Sequence, residues 1–147
     1  GLGDVYKRQY LLGLSTRTNA AGIAFFQEVA ENCGFDTMVF GVPESTLHLT
    51  TVCSSPEPGV LVAAEGHMTP EQFAPLIDEG VEVLWIPNEE SYAANVIGFE
   101  GGSVMISADF PETKRVLEAA GYATRSVDMK HIRAADGSLT CCSIFYQ

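Results

Sequence analysis

Apolar positions along the chain change their period in a repeating way. Residues 11–14, Leu-Leu-Gly-Leu, form a short apolar run expected to be a buried strand. Ile23, Phe26, Val29, Ala30 and Cys33 then recur at helical spacing, which predicts a helix opened by Asn19 and ended by Gly34. Residues 37–43 read as a strand stopped by Pro43. The second stretch places two strands before its helix. Residues 48–54 are one, Pro56-Glu57-Pro58-Gly59 turns the chain, and residues 60–64 are the other. Thr69-Pro70-Glu71-Gln72 opens a helix with an N-cap, proline at the first position and a capping-box glutamine. Phe73, Leu76 and Ile77 line it, Gly80 ends it, and residues 81–87 return as a strand. The third stretch repeats the plan, with strands at 95–99 and 103–107 about Gly101-Gly102, a helix over 112–120 and a strand over 122–127. Last, Asp136-Gly137 predicts a tight turn feeding a final strand. On such a strand Cys141 would share a face with Leu139 and Ser143, and Cys142 the other face with Thr140 and Ile144.

The helix-ending glycines Gly34, Gly80 and Gly121 recur at roughly 40–45 residues, a spacing that marks repeat architectures. The repeated unit is strand, strand, helix, strand. Closed around an axis, such units make a propeller-like α/β fold with side chains of several units meeting at the centre. An open α/β sheet fits the element order nearly as well.

The 147 residues suffice for one domain with a real core. Residues 1–9 carry no clear period and read as a head foreign to the domain, so the domain is expected to occupy 10–147. The formal charge of −11 argues against nucleic acid and anionic membranes as partners, because both select a basic footprint. It suits a small cationic ligand, as it also suits simple solubility. Four cysteines without framework spacing are expected to be free thiols of a cytoplasmic protein, and nothing in their spacing suggests zinc.

Three clusters can carry chemistry. Arg17, in Ser15-Thr16-Arg17-Thr18-Asn19, lies between a strand and a helix start, where a guanidinium can grip a carboxylate in bidentate fashion or simply be solvated. His48 sits among Leu47, Leu49 and Thr50, as a proton carrier or as a satisfied core histidine. Cys141 is a nucleophile if a cationic neighbour frees its thiolate, and otherwise a small core residue. His67 and His131 stand in loop-like contexts without an evident role.

Taken in order, Ser15-Thr16-Arg17-Thr18-Asn19, Leu47-His48-Leu49, residues 87–95 (Pro-Asn-Glu-Glu-Ser-Tyr-Ala-Ala-Asn) and residues 136–143 (Asp-Gly-Ser-Leu-Thr-Cys-Cys-Ser) resemble the dimethylargininase family, the dimethylarginine dimethylaminohydrolases of the guanidine-modifying superfamily. The resemblance runs from Tyr10 to the C-terminus. It implies the five-bladed α/β propeller called the pentein fold, of which about three repeats would be present here. It also implies hydrolysis of Nω-methylated arginine to citrulline and a methylamine, with no metal and no organic cofactor. Cys141 matches the nucleophile, Cys142 a non-catalytic neighbour, and His48 the general acid/base. Arg17 matches the residue that binds the substrate's α-carboxylate, and Ala135 one whose backbone carbonyl contacts the substrate. Thr50 departs from the lysine often found after Leu-His-Leu. The carboxylates that hold the guanidinium precede the arginine motif in that family, so the chain is expected to be the C-terminal part of the enzyme. Arginine deiminase chemistry, or a non-catalytic guanidine-binding homologue with Cys141 as a redox-sensitive thiol, are the alternatives.

Overall fold

The computed structural model describes residues 9–144. It is a mixed α/β arrangement of three small sheets rather than one continuous sheet. In the first unit β1 (Gln9–Leu14) leads through α1 (Ala20–Asn32) to β2 (Asp36–Gly41), which lies parallel to β1 with Leu11 opposite Met38. A short helix, α2 (Leu49–Val52), follows. The second unit is β3 (Cys53–Glu57), β4 (Val60–Ala64), α3 (Pro70–Asp78) and β5 (Glu82–Ile86) in sheet order β3-β4-β5, antiparallel and then parallel. After a 3-10 segment over Asn88–Ala94, the third unit repeats it with β6 (Ile97–Phe99), β7 (Ser103–Ser107), α4 (Pro111–Ala119) and β8 (Ala123–Val127). The strand-strand-helix-strand plan therefore stands complete in two units. Among the described residues the three sheets form no closed barrel.

The helices stop where the glycines were expected to stop them. Gly34, Gly80 and Gly121 all take positive φ. In each case the next residue's N–H reaches back to the carbonyl five residues earlier: Phe35 to Ala30, Val81 to Leu76 and Tyr122 to Leu117. This is the Schellman arrangement, which satisfies carbonyls that the helix end would otherwise leave bare. At the start of α3, Gln72 Oε1 accepts from the Thr69 N–H at 2.9 Å, so that half of the expected capping box is in place.

One large core runs through the units, with Phe73, Val62, Ile86 and Leu117 all essentially inaccessible. The second and third units meet backbone to backbone. A Cβ placed on Gly98 in β6 would lie 1.6 Å from the Pro56 carbonyl oxygen of β3, so only glycine permits the approach. A smaller cluster of Ile97, Met129 and Leu139 sits beside it, with Tyr92, Met105 and Val127 packed against it.

Two expected strands are not strands. Residues 48–52 have β-branched character, yet Leu49 and Val52 form one turn of α2 and bury both side chains, three residues apart on one face. The strand starts only at Cys53. The second correction is at Asp136-Gly137, which makes no hairpin. A short helix, α5 (Lys130–Arg133), precedes it. Asp136 takes φ 58° and the Gly137 N–H donates to the Ile132 carbonyl at 2.9 Å, a fourth helix stop of the same kind. Beyond it Thr140–Cys142 is a 3-10 turn, so the alternation of faces expected for Cys141 and Cys142 does not arise.

Candidate functional site

The Cys141 turn is held by side chains, since no sheet ladder is available to it. Leu139 is buried in the smaller cluster and anchors the turn from below. Burying a leucine contributes about 2 kcal/mol toward ordering the turn. The Cys142 N–H donates to the Leu139 carbonyl at 3.1 Å, and Ser143 Oγ donates to the same carbonyl at 2.8 Å. Cys141 itself is exposed, with Ser138 Oγ 3.2 Å from its sulfur. Either atom can be the donor in that contact.

Tyr92 fixes the approach to this turn. Its hydroxyl donates to the Gly137 carbonyl at 2.7 Å, and the Arg133 guanidinium lies 4.9 Å from its ring centre, within cation–π range. Burial raises the Tyr92 hydroxyl above its ordinary pKa; Arg133 opposes the shift, and Cys141 and Cys142 add to it. The phenol therefore stays a neutral donor near neutral pH. Ala135 is exposed at the end of α5, immediately before Asp136.

His48 is exposed at the N-cap position of α2, where its carbonyl accepts from the Thr51 N–H at 3.0 Å. It lines a cleft of about 390 Å³ together with Gly13 and with Ser15 and Thr18 of the arginine loop. That loop is a tight turn in which Ser15 and Thr18 exchange backbone hydrogen bonds at 3.3 Å. Arg17 stands exposed at its tip, its N–H donating to Ser15 Oγ.

Among the described residues, His48 and Cys141 make no hydrogen bond to each other. Asn95 joins their segments instead. It is 1 % exposed, and its Nδ2 donates both to the Thr50 carbonyl at 2.6 Å and to Thr140 Oγ1 at 2.9 Å, while its Oδ1 accepts from the Thr140 N–H at 3.0 Å. The reading of single residues missed this link, although Asn95 closes the motif over 87–95. The signal was a lone amide among Ala93, Ala94 and Val96, an apolar setting in which a buried amide requires partners.

The four cysteines differ sharply. Burial pushes the Cys53 thiol up to about 12, which leaves it protonated and inert. Cys33, Cys141 and Cys142 are exposed.

No protein-family model matches the chain. Over 135 residues it is 32 % identical to the N(G),N(G)-dimethylarginine dimethylaminohydrolase of Pseudomonas aeruginosa, an alignment that takes in 92 % of this chain and 50 % of the relative. The chain is a dimethylarginine dimethylaminohydrolase homologue. It spans about half the length of the curated relatives it matches. Its fold agrees with this. A solved Pseudomonas aeruginosa dimethylarginine dimethylaminohydrolase, a cysteine-to-serine variant in complex with citrulline, superposes with a TM-score of 0.77 at 31 % identity and covers 93 % of the homologue and 51 % of that chain. A dimethylarginine dimethylaminohydrolase adduct with S-methyl-L-thiocitrulline gives 0.76 at 32 % identity over 91 % of the homologue and 50 % of that chain. An amidinotransferase from Microseira wollei gives 0.81 at 18 % identity over 92 % of the homologue and 43 % of that chain, a likeness of fold alone.

Proposed function

We propose that the chain supplies the nucleophile, the proton carrier and the carboxylate grip of an enzyme that hydrolyses Nω-methylated arginine to citrulline and a methylamine. The reading is carried by one observation above the others. The Asn95 carboxamide ties the backbone two residues after His48 to the residue immediately before Cys141, in a chain homologous to dimethylarginine dimethylaminohydrolases. An exposed thiol beside a serine hydroxyl, with an exposed imidazole on the tethered segment, is the equipment that a cysteine hydrolase needs.

In this account the Cys141 thiolate attacks the guanidinium carbon. His48 delivers a proton to the departing methylamine as the C–N bond breaks, and a covalent thiouronium remains on sulfur. His48, now neutral, takes a proton from water; the hydroxide adds to the same carbon, the C–S bond breaks and citrulline leaves. The bound cation favours the thiolate, since a nearby positive charge lowers a thiol pKa. Arg17 would hold the α-carboxylate through its forked donors, and the Ala135 carbonyl would accept from the substrate. Free thiolate chemistry of this kind requires a reducing compartment, in keeping with a cytoplasmic enzyme. We further propose that the repeated units belong to a ring closed about a central axis, as in a five-bladed α/β propeller. The backbone contact between Gly98 and Pro56, which sets adjacent units side by side, supports this.

Cys141→Ser in the full chain, assayed with dimethylarginine and with arginine in competition, tests the reading. Loss of citrulline formation with ligand binding retained is the expected outcome, and continued citrulline formation would refute the nucleophile. Release of dimethylamine rather than ammonia separates this reading from an arginine deiminase.

A further inference from the structure

Asn95 is positioned more rigidly than an ordinary polar core residue requires. Its backbone is fixed on both sides by one side chain, since Ser54 Oγ donates to the Ala94 carbonyl and accepts from the Val96 N–H at 3.0 Å. Its amide orientation is fixed by chemistry. The Thr140 N–H can only donate, so the atom facing it must be Oδ1, and Nδ2 is left to serve the Thr50 carbonyl and the Thr140 hydroxyl. Thr50 and Thr140 lie 45 residues away in opposite directions along the chain. No local motif explains such a pair of contacts, and an apolar side chain in its place would leave the Thr140 N–H and the Thr50 carbonyl without this partner. What a carboxamide adds is a defined distance and angle between the two strangers it bonds.

We infer that Asn95 is a positioning residue, a clamp that holds the His48 and Cys141 segments in one fixed relation so that the imidazole can act on the sulfur. This rests on the proposed pairing of Cys141 with His48. Among the described residues Asn95 makes no hydrogen bond to either side chain, and it is not itself a catalytic group. Tyr92 donates to the Gly137 carbonyl and Arg133 lies over its ring, and both are left unchanged in the variants that test the clamp.

The test is the rate at which iodoacetamide alkylates Cys141, read by peptide mass spectrometry across the neutral pH range, in the wild-type chain and in Asn95→Ala and Asn95→Asp, each with and without His48→Ala. In the wild type, His48→Ala should slow alkylation about tenfold near neutrality, since the imidazole can take the thiol proton as the sulfur attacks. With Asn95 replaced, the same His48→Ala change should alter nothing. Merely looser packing would change the rate in every background but would leave that ratio intact. A ratio that persists in the folded Asn95 variants overturns the clamp and leaves the pairing standing. A wild type in which His48→Ala has no effect overturns the pairing, and the clamp with it. Should the Asn95 variants fail to fold, Thr140→Val removes only the hydroxyl end of the clamp: a ratio reduced to about threefold supports the inference, and an unchanged ratio overturns it.

Discussion

Gly121 and Asp136 stop their helices in the same way and lead to opposite outcomes. Each takes positive φ, and each is followed by an N–H that reaches the carbonyl five residues back. After Gly121 the chain meets an open edge of β7 and becomes β8, paired residue for residue from Ser103–Ala123 to Ser107–Val127. After Asp136 it meets side chains. Leu139 enters a small apolar cluster, Asn95 grips Thr140, and Tyr92 holds Gly137. A backbone ladder gives rigidity and sends successive side chains to alternate faces. A turn held by a few specific side chains can present one sulfur at a chosen place, and it depends on each of those contacts individually. In the proposed reading the regular elements supply stability and this irregular one presents the reactive sulfur.

The contrast can be broken most severely from the ladder side. Gly98→Ala forces a methyl group into the Pro56 carbonyl, a backbone atom that cannot swing aside, and should cost more than ~3 kcal/mol of global stability in chemical denaturation. Leu139→Ala should cost ~2–3 kcal/mol, but locally. Hydrogen exchange should quicken at the Cys142 and Ser143 amides while those of β4 remain protected; equal acceleration in both would mean that the turn and the units unfold as one.

Next comes the buried thiol of Cys53. Its ionisation is held at about 12 in the fold, against the ordinary thiol value of 9.0 once unfolded. Below pH 9 both states keep the proton and stability is unaffected. As pH rises from 9 toward 12 only the unfolded state loses it, so stability should fall by about 1.4 kcal/mol per pH unit. Cys53→Val should remove that one-proton slope from melts taken above pH 9. An unchanged slope would place the effect elsewhere, with Tyr122, whose hydroxyl burial and Glu57 also raise, as the first group to examine.

The smallest effects sharpen the comparison of the two stops. Gly121→Ala should cost about 1 kcal/mol, because a Cβ is forced into the left-handed region. Asp136→Gly should be neutral or stabilise by less than ~1 kcal/mol, since relief of the same strain is offset by a more flexible unfolded chain. Thermal melts of the pair should therefore move in different directions or by clearly different amounts.

The repeating units were legible because each rests on local signals that agree. Asn19 caps α1 with Oδ1 on the Gly22 N–H, Gln72 closes back on Thr69, and glycines end three helices. Asp136-Gly137 misleads because a hairpin turn and a helix stop both require positive φ. Only the short helix before it, weakly encoded by Lys130-His131-Ile132-Arg133, decides between them. Residues 48–52 mislead for a related reason: threonine and valine favour strands, but burial of Leu49 and Val52 on one face outweighs that preference. The motifs carrying Arg17, His48 and Cys141 were visible as residues. Asn95 as the link between the His48 and Cys141 segments was not, because what it bonds lies far away in both directions and no period or spacing announces such a contact.

The central claim is that Cys141 is the atom on which the guanidinium carbon is carried. It is tested most directly by quenching the full chain of His48→Ala with acid during exposure to dimethylarginine and locating the added mass by peptide mass spectrometry. Without the imidazole both formation and breakdown of the adduct should be slowed, and the thiouronium that does accumulate should be found on the peptide at Cys141 and absent from Cys33, Cys53 and Cys142. An adduct on any of those three, or turnover at the wild-type rate with Cys141 unmodified, would contradict the account.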